Sequence, residues 1–191
     1  MVPQLYLITP ANADLETFPK ALMTVLSEAE FAALLVTRGT LGPDAYAKLA
    51  AKLVNIGQGA GCAVLVEDDV ALVKKIGADG VHITTGAEDL ADAVAALKPS
   101  MIVGAGNVAS RHDAMTAGEM DIDYVAFTDP DLAQWWAETF EVPGVLIRPE
   151  AKPGAADALG SEFLALSDSI WTAPSPAEAI RAIVADLETD A

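Results

Sequence analysis

Cysteine is nearly absent: Cys62 is the one thiol in 191 residues. A single thiol can form no intrachain disulfide and no Cys-based zinc site, and it fits a reducing compartment. Basic residues are also scarce, with 11 Lys and Arg against 28 Asp and Glu and a formal net charge of −17. So acidic a chain repels nucleic acid and anionic membrane surfaces. No basic patch or run of interleaved aromatics offsets that charge, so neither a nucleic-acid nor a membrane partner is expected. No uncharged apolar run reaches the ~18 residues of a membrane span. Met1-Val2-Pro3-Gln4 has no basic n-region, and the apolar stretch Leu5 to Ile8 is too short for a signal peptide. The expectation is a cytoplasmic protein acting on a small-molecule ligand.

Disorder is excluded as well. Hydrophobic residues make up 52% and charged residues 20% of the chain, and the mean hydropathy is +0.35. The 14 Gly and 11 Pro follow no G-X-Y period. The length suits one substantial core, and residues 1–191 read as a single domain without linker or low-complexity stretch.

What is present is alternation. Short apolar runs, read as strands, fall at Leu5–Thr9, Phe31–Thr37, Cys62–Glu67, Gly80–Ile83, Met101–Gly104, Tyr124–Thr128, Pro143–Ile147 and Phe163–Leu166. Between them lie segments read as helices: Leu15–Glu30, Gly42 to about Gln58, Val70–Ile76, Ala87–Leu97, Ser110–Gly118, Asp131–Phe140, a short Ala155–Leu159 and Pro174–Leu187. Gly77 is the expected stop of the third helix and Ser110 the expected cap of the fifth. The strands are apolar throughout, as in a parallel sheet covered on both faces. Eight βα units favour a closed (β/α)8 TIM barrel over an open doubly wound sheet, at a length just under the usual ~200-residue lower bound.

In such a barrel the chemistry lies at the C-terminal ends of the strands. Those ends carry Thr9, Thr37-Arg38, Glu67-Asp68-Asp69, His82 with Thr84 and Thr85, Gly104 to Asn107, Thr128-Asp129, Arg148 and Asp168-Ser169. Three consecutive carboxylates repel one another unless a cation or a helix N-terminus offsets them. Asp68 and Asp69 therefore either help to hold Mg²⁺, with Asp89 adding an oxygen, or cap the helix beginning at Val70. His82 is either a hydrogen-bonded core residue or a ligand contact. Gly104 and Gly106 either admit a ligand close to the backbone or serve a tight turn. Arg38 and Arg148 suit an anion or a structural carboxylate partner. His112 is expected in solvent. Trp135 and Trp136 are neighbours on one helix, so one ring is expected in the core and the other outward. With Trp171 they lie outside the barrel interior, which makes homo-oligomerisation a further expectation.

Leu5-Tyr6-Leu7-Ile8-Thr9, Val64 to Asp68 and Gly77-Ala78-Asp79-Gly80-Val81-His82-Ile83 resemble the thiamine phosphate synthase family, which includes thiazole tautomerase relatives. The likeness continues through Glu88-Asp89-Leu90 and Asp123 to Phe127, and it is good over about residues 60 to 128. It implies a (β/α)8 barrel that joins a pyrimidine methyl diphosphate to a thiazole phosphate, with Mg²⁺ on the diphosphate. It also implies Asp68 and Asp89 as metal ligands, and His82 matches the family's strand-four histidine. The chain departs from the family pattern elsewhere. Of a strand-two Gln-x-Arg-x-Lys motif, only Arg38 remains as a cation, and Glu67 replaces an asparagine. The Ser after strand five falls on or near Gly104-Ala105-Gly106. Thr128-Asp129-Pro130-Asp131 stands for the Gly-Pro and Thr-x-Thr-Lys stretch. Arg148-Pro149-Glu150 stands for a Gly-Gly phosphate cradle, and Leu166-Ser167-Asp168-Ser169 for a Val-Ser loop. Arg148 partly substitutes for that cradle. The alternative is a degenerate paralogue that binds a less phosphorylated ligand or a protein partner.

Overall fold

In the computed structural model, which describes residues 2–189, eight parallel strands close into a barrel in chain order. They are β1 (Gln4–Ile8), β2 (Phe31–Val36), β3 (Ala63–Glu67), β4 (Gly80–Ile83), β5 (Ile102–Ala105), β6 (Tyr124–Phe127), β7 (Gly144–Arg148) and β8 (Phe163–Leu166). The helices are α1 (Phe18–Leu26), α2 (Pro43–Gly59), α3 (Val70–Ile76), α4 (Ala87–Leu97), α5 (Arg111–Gly118), α6 (Pro130–Thr139), α7 (Asp168–Trp171) and α8 (Pro176–Thr189). Because β8 pairs with both β7 and β1, no strand edge is left open.

The strands are apolar on both faces because both faces are covered. Leu7, Leu34, Val64, Val81, Val125 and Leu146 pack outward, in the cluster that includes the helices. Residues of the other phase, including Tyr6, Leu35, Leu65, Tyr124, Val145 and Ala165, fill the barrel. Each large side chain fully buried in either layer contributes about 1.5–3 kcal/mol relative to exposure.

An acid placed at or near the start of one strand recurs as a staple to the strand before it. Asp79 accepts from Val64 N at 2.7 Å, Asp123 from Val103 N at 2.8 Å and Glu162 from Gly144 N at 2.7 Å. Each carboxylate satisfies a backbone donor near the beginning of β3, β5 or β7, at the end of the barrel away from the strand tips. Helix starts are set as locally. Asp69 caps α3 through Leu72 N, Ser110 caps α5 through Asp113 N, and Asp129 accepts from Asp131 N and Leu132 N at α6. Gly77 ends α3 in the left-handed region, at φ 72°.

Two expectations need correction. The helix expected at Ala155–Leu159 is absent, so the alternation is not strict: irregular chain joins β7 to β8, and the one-turn α7 follows β8. Positive φ at Gly154, Leu159 and Gly160 breaks the segment on both sides, leaving too few residues for a helical turn to propagate. Its Ala156 and Ala158 are nevertheless buried and cover the sheet there. The first helix is also shorter than Leu15–Glu30. Asp14 Oδ1 gathers Glu16 N, Thr17 N and Thr17 Oγ1 into a turn, and the helix begins only at Phe18.

The tryptophans lie as expected. Trp136 is fully buried, donates from Nε1 to Val142 O at 2.7 Å and stacks on Phe140. Trp135 is half-buried beneath the Arg111 guanidinium. Trp171 leaves the barrel interior to pack on Phe18 and donates to Ile8 O.

Candidate active site

The strand tips form one rim, and its first part is tied together by side chains. Thr9 is buried after β1, and its Oγ1 accepts from Thr37 N at 2.9 Å, while Thr37 Oγ1 donates to Thr9 O at 3.0 Å. At the tip of β3, Glu67 N donates to the hydroxyl of Tyr46, which itself donates to Val36 O. The Glu67 carboxylate accepts from Arg38 N at 2.8 Å. Burial holds the Glu67 carboxyl above the ordinary range, Arg38 N opposes that rise, and the neighbouring Asp68 adds to it.

The acidic triplet divides its roles. Asp69 is the helix cap. Asp68 is exposed and sits at φ 52°, where its carboxylate turns across to the next strand tip. There Oδ1 accepts from Thr84 N at 2.6 Å and Oδ2 from Thr84 Oγ1 at 2.5 Å. Asp89 is exposed in the first turn of α4, one βα loop further on. Among the described residues no three His, Cys, Asp or Glu side chains gather as a metal cluster.

The two arginines of the rim have no acid partner among the described residues. Salt bridges among the described residues join Lys98 to Asp123 and Arg181 to Glu28, and neither involves Arg38 or Arg148. Arg38 is half-buried, donates from Nε to Leu41 O at 2.9 Å and lies 5.9 Å from the Tyr46 ring centroid. Arg148 ends β7 with a buried Nε that has no partner, and the buried Oγ of Ser169 has none either. The two residues stand on neighbouring segments, since Ser169 N in α7 donates at 2.7 Å to the carbonyl of Pro149, the residue after Arg148. His112 is exposed on α5, away from the barrel interior.

His82 lies inside the barrel and is 4% exposed. Its Nδ1 is 2.7 Å from the hydroxyl of Tyr124, which is 2.9 Å from the hydroxyl of Tyr6. Burial is the main cause that lowers the His82 pKa to about 4, with Asp68 opposing, so the ring is neutral at pH 7. The two glycines of β5 and its tip make room for this chain. A Cβ on Gly104 would lie 2.0 Å from Cζ of Tyr124, and one on Gly106 would lie 2.2 Å from Nε2 of His82. The space these glycines leave is therefore filled by the protein's own rings, and Gly106 N is spent on Ile83 O.

Tyr6, Tyr124 and Tyr46 were not singled out as site residues from the sequence, whereas Thr84 was among the strand-end candidates. One signal was available. With the period of two, Tyr6, His82 and Tyr124 fall on the inward phase of their strands, and each is a large polar side chain in an apolar run. That Tyr46 reaches from α2 to Glu67 had no local signal.

A family model described as thiamine monophosphate synthase matches residues 5–131. The thiamine-phosphate synthase of Hyphomonas neptunium is 34% identical, covering 97% of this chain and 94% of its own. The thiamine-phosphate synthase of Rhodospirillum centenum is 31% identical, covering 93% and 94%. Among solved structures, thiamine phosphate pyrophosphorylase from Pyrococcus furiosus superposes with a TM-score of 0.81 at 19% identity, covering 97% of this chain and 96% of that one. Orotidine 5′-phosphate decarboxylase from Pyrococcus horikoshii has a TM-score of 0.70 at 17% identity, covering 95% and 99%, a likeness of fold. The match over two-thirds of the chain and the full-length relatives agree: this chain belongs to the thiamine monophosphate synthase family.

Proposed function

We propose that the protein is a thiamine phosphate synthase that couples a pyrimidine methyl diphosphate to a thiazole phosphate at the C-terminal mouth of the barrel. The observation that carries this reading is the pair of rim arginines without acid partners. In a chain of net charge −17, Arg38 and Arg148 are both free of carboxylate partners among the described residues. Cations left unneutralised at strand tips fit anionic substrates better than they fit a structural role.

Magnesium fits the same rim as a substrate-borne ion. Mg²⁺ in phosphate-handling sites takes one or two carboxylates, substrate oxygens and water. Asp68 follows β3 and Asp89 lies in the first turn of α4; both carboxylates are exposed, neither has a cationic partner among the described residues, and Thr84 orients that of Asp68. When bound, Mg²⁺ supplies charge neutralisation of the departing diphosphate.

In the reaction the C–O bond between the pyrimidine methylene and the diphosphate breaks, and pyrophosphate leaves with the bonding pair. The thiazole nitrogen donates its lone pair to that methylene and forms the new C–N bond. No oxidant or reductant is needed. Arg148 and the Ser169 hydroxyl suit the thiazole's phosphate, because each has a buried polar atom without a protein partner. Arg38 suits the diphosphate, because it lies just past the end of β2, the strand that pairs with β3 ahead of Asp68.

The test is turnover by the full chain. With both substrates and Mg²⁺, thiamine phosphate and pyrophosphate are expected in equal amounts, with loss of activity in EDTA and at least tenfold loss in Asp68→Ala. A folded protein that gives no product and no calorimetric heat with either substrate would be a degenerate paralogue, and the synthase reading would fall.

A further inference from the structure

Inside the barrel three polar atoms stand in series. The hydroxyl of Tyr6 is 2.9 Å from the hydroxyl of Tyr124, which is 2.7 Å from Nδ1 of His82. Neither phenol makes another hydrogen bond among the described residues, and both rings are buried. Each phenol has one proton to donate, and a neutral imidazole has one nitrogen that donates and one that accepts.

Three arrangements use both hydrogen bonds. The one in which Tyr6 and Nδ1 both donate to Tyr124 leaves the buried Tyr124 proton without an acceptor, and two others remain. In the first, Tyr6 donates to Tyr124, Tyr124 donates to Nδ1, and the imidazole proton sits on Nε2. Every proton between the three side chains then has an acceptor. In the second, Nδ1 donates to Tyr124 and Tyr124 donates to Tyr6, whose own proton must point elsewhere. Tyr6 and Tyr124 line a cavity of about 280 Å³ at the N-terminal end of the barrel, with Ala33, Leu65, Val145 and Phe163 in its walls. Among the described residues no hydrogen bond joins the Tyr6 hydroxyl to Gln4 or Asp123, the other polar side chains on that cavity besides Tyr124. The Asp123 carboxylate on the same cavity is already held by Lys98 Nζ and Val103 N. The second arrangement thus leaves the Tyr6 donor unpaired deep in the barrel, whereas the first leaves only Nε2–H without a protein partner, at Gly106 toward the mouth.

We propose that Tyr124, with Tyr6 donating to it, is a positioning residue that fixes His82 as the Nε2–H tautomer, so that His82 acts at the mouth as a hydrogen-bond donor and not as a base. The rings cannot easily turn out of this arrangement. Tyr124 occupies the volume above Gly104, His82 that above Gly106, and the two rings lie nearly parallel at 5.7 Å. Burial raises both phenol pKa values and lowers that of the imidazole, so all three groups are neutral at working pH. Nε2 makes no hydrogen bond within the protein among the described residues and lies against Gly106, just past the end of β5. Its proton suits a lone-pair acceptor on the substrate, a ring nitrogen or a phosphoryl oxygen. That last step rests on the synthase reading, whereas the tautomer does not.

The experiment is ¹⁵N NMR of the full chain labelled at histidine, without substrate. The chain has two histidines, so His112→Ala leaves His82 alone in the spectrum. At pH 7 the expected pattern is a pyridine-like Nδ1 and a pyrrole-like Nε2. Tyr124→Phe keeps the ring over Gly104 and is expected to move both resonances toward the average of the two tautomers. Tyr6→Phe is expected to leave the pattern in place, because Tyr6 only donates. If the proton ran the other way, removing the Tyr6 hydroxyl would switch the tautomer. A pyrrole-like Nδ1, averaged shifts in the parent, a switch in Tyr6→Phe or an unchanged folded Tyr124→Phe would each overturn the proposal. Should Tyr124→Phe not fold, the parent and Tyr6→Phe spectra decide. None of these outcomes depends on turnover, so failure of the synthase reading is read separately.

Discussion

Gly106 and His82 share one volume: a methyl group on the glycine would stand 2.2 Å from Nε2 of the imidazole. Gly104 and Tyr124 are related in the same way, one step deeper in the barrel. Gly106→Ala and Gly104→Ala are expected to force the rings off their rotamers and destabilise the fold by about 1–3 kcal/mol, as overpacked cores do. Gly59→Ala, at the end of α2 with nothing within 4 Å of the added methyl, is the control and is expected to be neutral or stabilising. Urea denaturation decides, and equal midpoints for all three would contradict the shared-volume account.

Arg148→Gln and Arg38→Gln remove the unpaired rim cations while keeping most of the side-chain bulk. Each is expected to lose about 1.5–3 kcal/mol of substrate binding, the range for a hydrogen bond to a charged group. That corresponds to roughly a ten- to hundredfold rise in KM. Arg148→Gln is expected to act on the thiazole phosphate and Arg38→Gln on the diphosphate. Steady-state kinetics with each substrate varied in turn would show the assignment to be wrong if the two variants exchanged effects.

Thr84 donates to both oxygens of Asp68. Thr84→Val removes the hydroxyl donor and retains the backbone one. Partners that orient a metal-binding carboxylate typically contribute ten- to hundredfold in metal affinity, so the apparent Mg²⁺ requirement is expected to rise by about tenfold. The Tm should move little, because the contact is on the exposed rim. A Mg²⁺ titration of activity that superposes on the parent would argue against Asp68 as a ligand.

The buried His82 makes stability depend on pH. Its folded pKa of about 4 lies below the 6.5 of the free side chain. Between those values the unfolded chain binds more protons, so stability falls as pH drops from about 6.5 and the loss levels off near 4. The full effect of that gap is on the order of 3 kcal/mol. Glu67, whose pKa is raised by burial, works the other way and gains stability as it protonates. Chemical denaturation at pH 7 and pH 5 is expected to show a loss that shrinks in His82→Gln. An identical pH response in that variant would place the effect on other groups.

Cys62 is buried, donates from Sγ to Gly57 O at 3.2 Å, and burial pushes its thiol up to about 11. A thiol so placed is protonated and shielded, hence slow to react. Ellman's reagent at pH 8 is expected to titrate one thiol per chain in denaturant and almost none within minutes in the native protein. Rapid native reaction would mean that α2 opens from β3.

Much of the fold is legible in the sequence because it is written locally. The apolar runs, the caps Asp69 and Ser110 and the stop at Gly77 act within a few residues of themselves, and each sits where the pattern indicated. Ala155–Leu159 misled because alanine favours helix, while the positive φ at Gly154, Leu159 and Gly160 serves a connection whose length is set by the distance between two strands. The site was legible in part. Asp68, His82, Arg38 and Arg148 stand at strand tips, a place the period and order of strands define.

The sequence by itself determined the barrel, the acidic surface and the set of residues that reach its mouth. Those follow from periodicity, turn chemistry and charge, which need no partner distant in the chain. The tertiary structure alone decided which residues meet. Tyr6 and Tyr124 are 118 positions apart, yet they share a hydrogen bond because the barrel closes. Gly104 and Gly106 are glycines because rings from neighbouring strands need their volume, and Asp68 turns from its helix to Thr84 on the next loop. Pairings of this kind depend on strand register and barrel closure, so they come into being only when the whole sheet has formed.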